Sequence, residues 1–230
     1  MDRKGSLELL EEVQDTLTSL HGEGVMKPVK IKAILEHLRS ALEYVANDTY
    51  DKLNPGIRSN ETRIYFPYGK KSHIENFFKK KLRVASPETF PLYEVFSSIQ
   101  DFRTGDTWLE MMCNLTNEVK HRNPIPLDEQ DVVTGRKIVA EGINIAEITG
   151  NGSITIGNLE INDKKSKGFT FKDNNLDASQ ASIAINLVIT KEKKIRFHGS
   201  EYEVIPFIEK CLAHIKKFVN DAYDILEKDI

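Results

Sequence analysis

Residues 143–156 read INIAEITGNGSITI, and the reading of this stretch decides the fold. Ile143, Ile145, Ile154 and Ile156 alternate with polar neighbours, the period of a strand with one buried face. Asn151-Gly152 lies between them and is the strongest short-range hairpin signal in the chain. Further on, residues 182–189 alternate again, and Lys191-Glu192-Lys193-Lys194 reads as a charged turn into Ile195-Arg196-Phe197. Residues 162–180, rich in lysine and asparagine, read as a mobile loop. Three or four antiparallel strands are therefore expected after about residue 132.

On either side of this region the period is helical. Leu10, Val13, Leu17 and Leu20 mark a first helix, with Ser6 as its expected cap and Gly22 and Gly24 as its stop. Ile31, Ile34, Leu35, Leu38, Ala41, Leu42 and Val45 mark a second, stopped by Asn54-Pro55-Gly56. Residues 57–72 read as loop, with an extended piece at 63–66. Ile74, Phe77, Phe78 and Leu82 mark a short helix, and Ser86-Pro87 is expected to open another that buries Leu92, Val95, Phe96 and Ile99. Gly105-Asp106 opens a helix that ends at Lys120-His121-Arg122, before Pro124 and Pro126. After the strands, Val204, Ile208, Cys211, Leu212, Ile215, Phe218, Val219, Ala222, Ile225 and Leu226 form the cleanest apolar stripe in the chain. A stripe of that kind needs a partner, and the N-terminal helices supply it. The expected class is α+β: a helical bundle over 1–130, an antiparallel sheet region over 131–202 packed on it, and a helix over 203–230 that completes the bundle.

Composition limits the function classes. At 40% hydrophobic and 29% charged residues the chain is a globular one, and 230 residues bury a real core. A net charge of −3 excludes a general polyanion binder, so any nucleic-acid contact must come from a local basic patch. No apolar run reaches membrane-spanning length, and the opening MDRKGSLELLEE has no signal-peptide core, so a cytoplasmic protein without a membrane partner is expected. Cys113 and Cys211, far apart and each inside a helical pattern, read as small buried hydrophobes. No cofactor motif and no metal-ligand spacing is present, and none of either is expected.

The nearest thing to a site lies on two helices. On a wheel of about 100° per residue, Trp108, Met112, Leu115 and Val119 form the expected core arc, with Arg122 beside them. His121 falls on the opposite face, in line with Glu110, Asn114 and Asn117. Arg122 then needs an acidic partner, Glu118, Glu43 or Asp48, or it serves as a bidentate clamp for a phosphate or carboxylate. His121 near a helix C-terminus is a helix-dipole partner or a base. Arg39 borders the apolar stripe of the second helix, with Glu43 one turn on for an intrahelical pair; the alternative is that Arg39 and Arg122 converge on one anion. The ligand-binding candidates are thus Arg39, Glu43, Asn117, Lys120, His121 and Arg122. Lys70, Lys71, Lys79, Lys80, Lys81 and Arg83, interleaved with Tyr65, Phe66, Tyr68, Phe77 and Phe78, form a second candidate. There, bases would stack on aromatics while lysines hold phosphates, or else the phenylalanines are core and the lysines a solvated face; the second reading is preferred.

The run Leu38-Arg39-Ser40-Ala41-Leu42-Glu43, then Phe66-Pro67, then Glu118-Val119-Lys120-His121-Arg122, then Phe197-His198-Gly199 before a last helix, resembles an uncharacterised bacterial family. The resemblance implies a helical bundle with an appended sheet. More remotely the helices resemble HEPN-type bundles, many of them ribonucleases or toxins of defence systems. Arg122-Asn123 matches the opening of their Arg…His motif, and its closing His is missing between Pro124 and Asp131. Two functions follow as expectations. The first is a non-catalytic interaction or ligand-binding protein, an accessory of a bacterial stress or phage-defence system, whose partner is a protein or a small anion rather than nucleic acid. The second is a metal-independent ribonuclease or nucleotide-processing enzyme that uses His121 and Arg122, with Arg39 assisting.

Overall fold

The computed structural model describes residues 1–23, 27–119 and 125–228, with the backbone alone for 21–23, 118 and 119. Its elements in chain order are α1 (Arg3–Glu23), α2 (Pro28–Leu53), α3 (Lys71–Asn76), a π-helical turn (Phe77–Lys81), a 3-10 turn (Pro87–Thr89), α4 (Pro91–Ser98), α5 (Asp101–Thr104) and α6 (Trp108–Val119). The strands β1 (Leu127–Ala140), β2 (Ile143–Ile148), β3 (Ile154–Ile161), β4 (Lys164–Lys172), β5 (Asn175–Asp177) and β6 (Ile185–Phe197) follow, and α7 (Val204–Leu226) closes the chain. The class is α+β, and the chain divides into two units. One combines Met1–Asp128 with Arg196–Ile230, and the other is Glu129–Ile195.

In the helical unit α7 packs on α1, α2, α4 and α6. Its stripe from Val204 to Leu226 is buried, Phe207 and Tyr223 included. Phe96 of α4 is the hub of the core. Its ring lies 5.3–5.7 Å from those of Phe66, Phe77, Phe78 and Phe218, so one side chain ties together the loop before α3, the π turn and α7. Burying several aromatic rings against one another supplies much of the hydrophobic stabilisation of such a unit.

Two caps differ from expectation. Asp2, not Ser6, caps α1: its carboxylate accepts the Gly5 N–H at 2.8 Å and its carbonyl the Ser6 N–H at 3.0 Å. Ser6 lies one turn inside, fully buried, 3.3 Å from the Tyr223 hydroxyl, and the helix runs on through Gly22. Ser86 makes no side-chain cap. Pro87 starts only a 3-10 turn, and the helix itself begins at Pro91. Asn54 stops α2 as expected, its side-chain amide donating to the Tyr50 carbonyl at 3.1 Å.

The second unit holds two three-stranded sheets, in the orders β2-β1-β6 and β3-β4-β5. They share a core of Ile138, Ile148, Phe169 and Phe171. Asn151-Gly152 therefore does not make a hairpin, because β2 and β3 lie in different sheets. The hairpin turns are Glu141-Gly142, Asn162-Asp163 and Asp173-Asn174, each with positive φ at both residues. That is the geometry whose twist suits a two-residue connection, and asparagine and aspartate tolerate it. The expected mobile loop at 162–180 contains β4 and β5; its lysines face solvent while Phe169 and Phe171 face inward. Residues 191–194 are not a turn but the middle of β6, an edge strand whose exposed lysines discourage pairing with another chain.

Candidate ligand-binding cleft

Residues 57–70 have no regular structure, so their backbone groups need partners from elsewhere. Side chains of the surrounding helices supply them. Glu43 accepts the Phe66 N–H at 2.6 Å, Gln100 donates to the Pro67 carbonyl at 3.1 Å, and Asn47 donates to the Ile64 carbonyl at 3.4 Å. His73 Nδ1 donates to the Tyr68 carbonyl at 2.9 Å. The segment is thereby held as a wall.

Tyr68 is where the sequence-based candidates meet. The Arg39 guanidinium lies 4.8 Å from its ring centroid, and Asn117 donates to its hydroxyl at 3.0 Å. Arg39 also donates to Glu43 at 2.8 Å, the intrahelical pair that the spacing predicts. Arg39 is only 9% exposed, and one of its terminal nitrogens is buried with no hydrogen-bond partner among the described residues. Beside it, burial pushes the Cys113 thiol up to about 12, against the opposing pull of the Arg39 charge. Arg39, Glu43 and Asn117 thus position the loop. Lys120, His121 and Arg122 lie outside the described residues. The arc that assigned Arg122 to the core does change: α6 buries Trp108, Leu109, Met112, Cys113 and Thr116, while Leu115 is half-buried. That face is turned by roughly 60° from the expected one. The cause is packing against both α2 and α7, which widens the buried arc toward Leu109 and Cys113.

In front of this wall lies a cleft of about 870 Å³. One side is the loop, with Tyr65, Tyr68 and Gly69; another is the π turn, with Phe77, Lys80 and Lys81; the third is Phe102 with Glu110 and Asn114 of α6. Tyr65 is 66% exposed and Phe102 40% exposed, so both rings present faces to solvent. Lys70, Lys80 and Lys81 have no ion-pair partner among the described residues. Asp101 also lines the cleft, but its carboxylate accepts the Leu109 and Glu110 N–H groups at 3.1 and 3.0 Å and so caps α6. Burial pushes that carboxyl up despite the two donors.

The π turn explains why lysines face the cleft. The Leu82 N–H reaches back to the Phe77 carbonyl at 3.0 Å, one residue further than in an α-helix, and the Val84 N–H reaches the Phe78 carbonyl at 3.0 Å. Phe77 and Phe78 are buried while Lys79, Lys80 and Lys81 are exposed, as the preferred reading of this segment has it. Arg83, which ends the turn, has φ +61°, a left-handed conformation that glycine or asparagine adopts more easily. A smaller pocket of about 390 Å³ shares Lys80 and Lys81 with the cleft and adds Arg63 and Arg83, with Glu61 as its carboxylate.

The exposed stripe on α6 was legible in the sequence, and two of its members, Glu110 and Asn114, line the cleft. The sequence groups Tyr65 and Tyr68 with the neighbouring lysines as a stacking candidate but does not join Phe102 to them, because the four-residue α5 is too short to show a periodicity. Pro67 and Gly69, whose φ is +90°, mark the loop itself. Among the described residues no group of His, Cys, Asp and Glu side chains is placed to hold a metal ion, and no helix is long and apolar enough to cross a membrane. Comparison of the chain with protein-family models, curated sequences and solved structures gave no match.

Proposed function

We propose that this chain is a non-catalytic ligand-binding protein, and that the cleft beside Tyr68 takes a small anion carrying a flat apolar group. The observation that carries this reading is the pairing of the exposed Tyr65 and Phe102 rings with three lysines that have no acidic partner among the described residues. Aromatic faces stack on a flat group, and the lysines supply the counter-charge. The side chains behind the wall are committed to holding it, which suits a preformed site better than a reacting one. The role of accessory to a bacterial stress or phage-defence system belongs to this proposal through the sequence resemblance alone. The ribonuclease reading draws no support from Arg39, which is buried and engaged with Glu43 and Tyr68.

Calorimetric titration with adenosine monophosphate, adenosine and orthophosphate tests the reading. We expect the monophosphate to bind more tightly than either fragment, and Tyr65→Ala or Lys81→Ala to weaken it by about tenfold, the worth of one stack or one charge contact. Absence of binding at millimolar concentration would contradict it. RNA incubated with the protein should stay intact; cleavage abolished by His121→Ala would transfer the assignment to the enzyme.

A further inference from the structure

The small basic pocket next to the cleft shares Lys80 and Lys81 with it and adds cations that a monophosphate in the cleft does not need, and its chemistry differs from the cleft's. Its one aromatic lining residue, Tyr50, is buried at 7% exposure, where the cleft has Tyr65 and Phe102 open to solvent. Its cations are Arg63, Arg83, Lys80 and Lys81, with Glu61 as its one carboxylate among the lining residues. Lys80 and Lys81 form the wall common to both spaces. A ligand that fills both must be flat and apolar at one end and a chain of negative charge at the other. Resting on the reading above, we infer that the ligand is a nucleoside polyphosphate. Its base lies against Tyr65 in the cleft, and its phosphate chain crosses Lys80–Lys81 to end between Arg63 and Arg83.

Arg83 gives independent support. It occupies the left-handed position that closes the π turn, where glycine or asparagine meets less steric resistance. A positively charged side chain is kept there against the local backbone preference, and strained positions of this kind concentrate at binding sites. A guanidinium suits the terminal phosphate because it donates two parallel hydrogen bonds to one phosphate group. A nucleic-acid strand fits less well, since the one aromatic ring lining the basic pocket, Tyr50, is buried and already carries the Arg58 guanidinium 5.5 Å from its centroid.

The test compares adenosine mono-, di- and triphosphate and a short single-stranded DNA by titration against the full chain. Affinity should rise along the phosphate series, by at least about tenfold from mono- to triphosphate, as one or two charge-assisted contacts supply. The Arg83→Asn variant suits the left-handed backbone and removes the charge. It should unfold at higher denaturant than the parent yet lower the triphosphate-to-monophosphate affinity ratio, and Arg63→Gln should lower that ratio too. Equal affinity for mono- and triphosphate overturns this inference and leaves the cleft reading standing. Failure of every nucleotide to bind overturns both. Tighter binding of the DNA strand than of the triphosphate, or an unchanged ratio in both variants, also overturns the polyphosphate assignment.

Discussion

At the scale of single residues, Arg39 shows how an apparent site residue turns into a support. Its place at the border of an apolar stripe and the Glu43 one turn on were both legible in the sequence, and so was their pairing. What no helical wheel contains is Tyr68, because the third partner arrives from a loop 29 residues later with a ring 4.8 Å from the guanidinium. Arg39→Met should cost about 2–4 kcal/mol in denaturant unfolding, since the Glu43 carboxylate stays largely buried without its cation. A loss below about 0.5 kcal/mol would mean the pair is dispensable. Asp106 carries a pH signature. The Lys210 ammonium, helped by the Tyr202 hydroxyl and opposed by partial burial, holds its carboxyl below the ordinary range. A carboxyl lowered in the folded state stabilises the fold above its unfolded value of about 4, and the contribution fades as pH falls through the lower folded value. Asp106→Asn should therefore lose less stability than the parent between about pH 4 and pH 2, as measured by urea midpoints; parallel losses would contradict this.

At the scale of elements, the longest periodicities are legible in the sequence and the hairpin turns are not. The stripes of α2 and α7 run over six turns or so, long enough for the pattern to override any single residue. The hairpins are not legible because their turns are Glu-Gly, Asn-Asp and Asp-Asn rather than the Asn-Gly that stands out at 151–152. β4 does not read as a strand because its buried face is spaced by lysines that dominate its composition. The π turn was invisible for a different reason: Ile74, Phe77, Phe78 and Leu82 fit an ordinary helix, and a turn widened by one residue leaves that apolar pattern nearly intact. Deleting Lys79 tests its purpose. We expect an α-helical turn to form in its place with unchanged circular dichroism, while the two remaining lysines rotate relative to the cleft and adenosine monophosphate binding falls by about tenfold or more. Retained affinity would show that the widened turn does not place the charges.

At the scale of the whole molecule, the class and the element order follow from two changes of period, near residues 132 and 203. The helical unit is closed by a segment far along the chain: α7 lies on α1, and Tyr223 donates to Asp48 of α2 at 2.7 Å. The cleft belongs wholly to this unit, and its walls come from three separate stretches, 65–81, 101–102 and 110–114. Such a site emerges from tertiary packing around Phe96, which explains why the sequence yields its lysines and its α6 stripe but not their meeting. The most direct measurement is an amide-resolved NMR titration of the full chain with adenosine monophosphate. We expect saturable shifts at Tyr65, Tyr68, Gly69, Lys80, Lys81, Phe102 and Asn114, with residues 129–195 unmoved. Shifts centred in 129–195, or none at any residue of the cleft at millimolar ligand, would contradict a binding site in the helical unit.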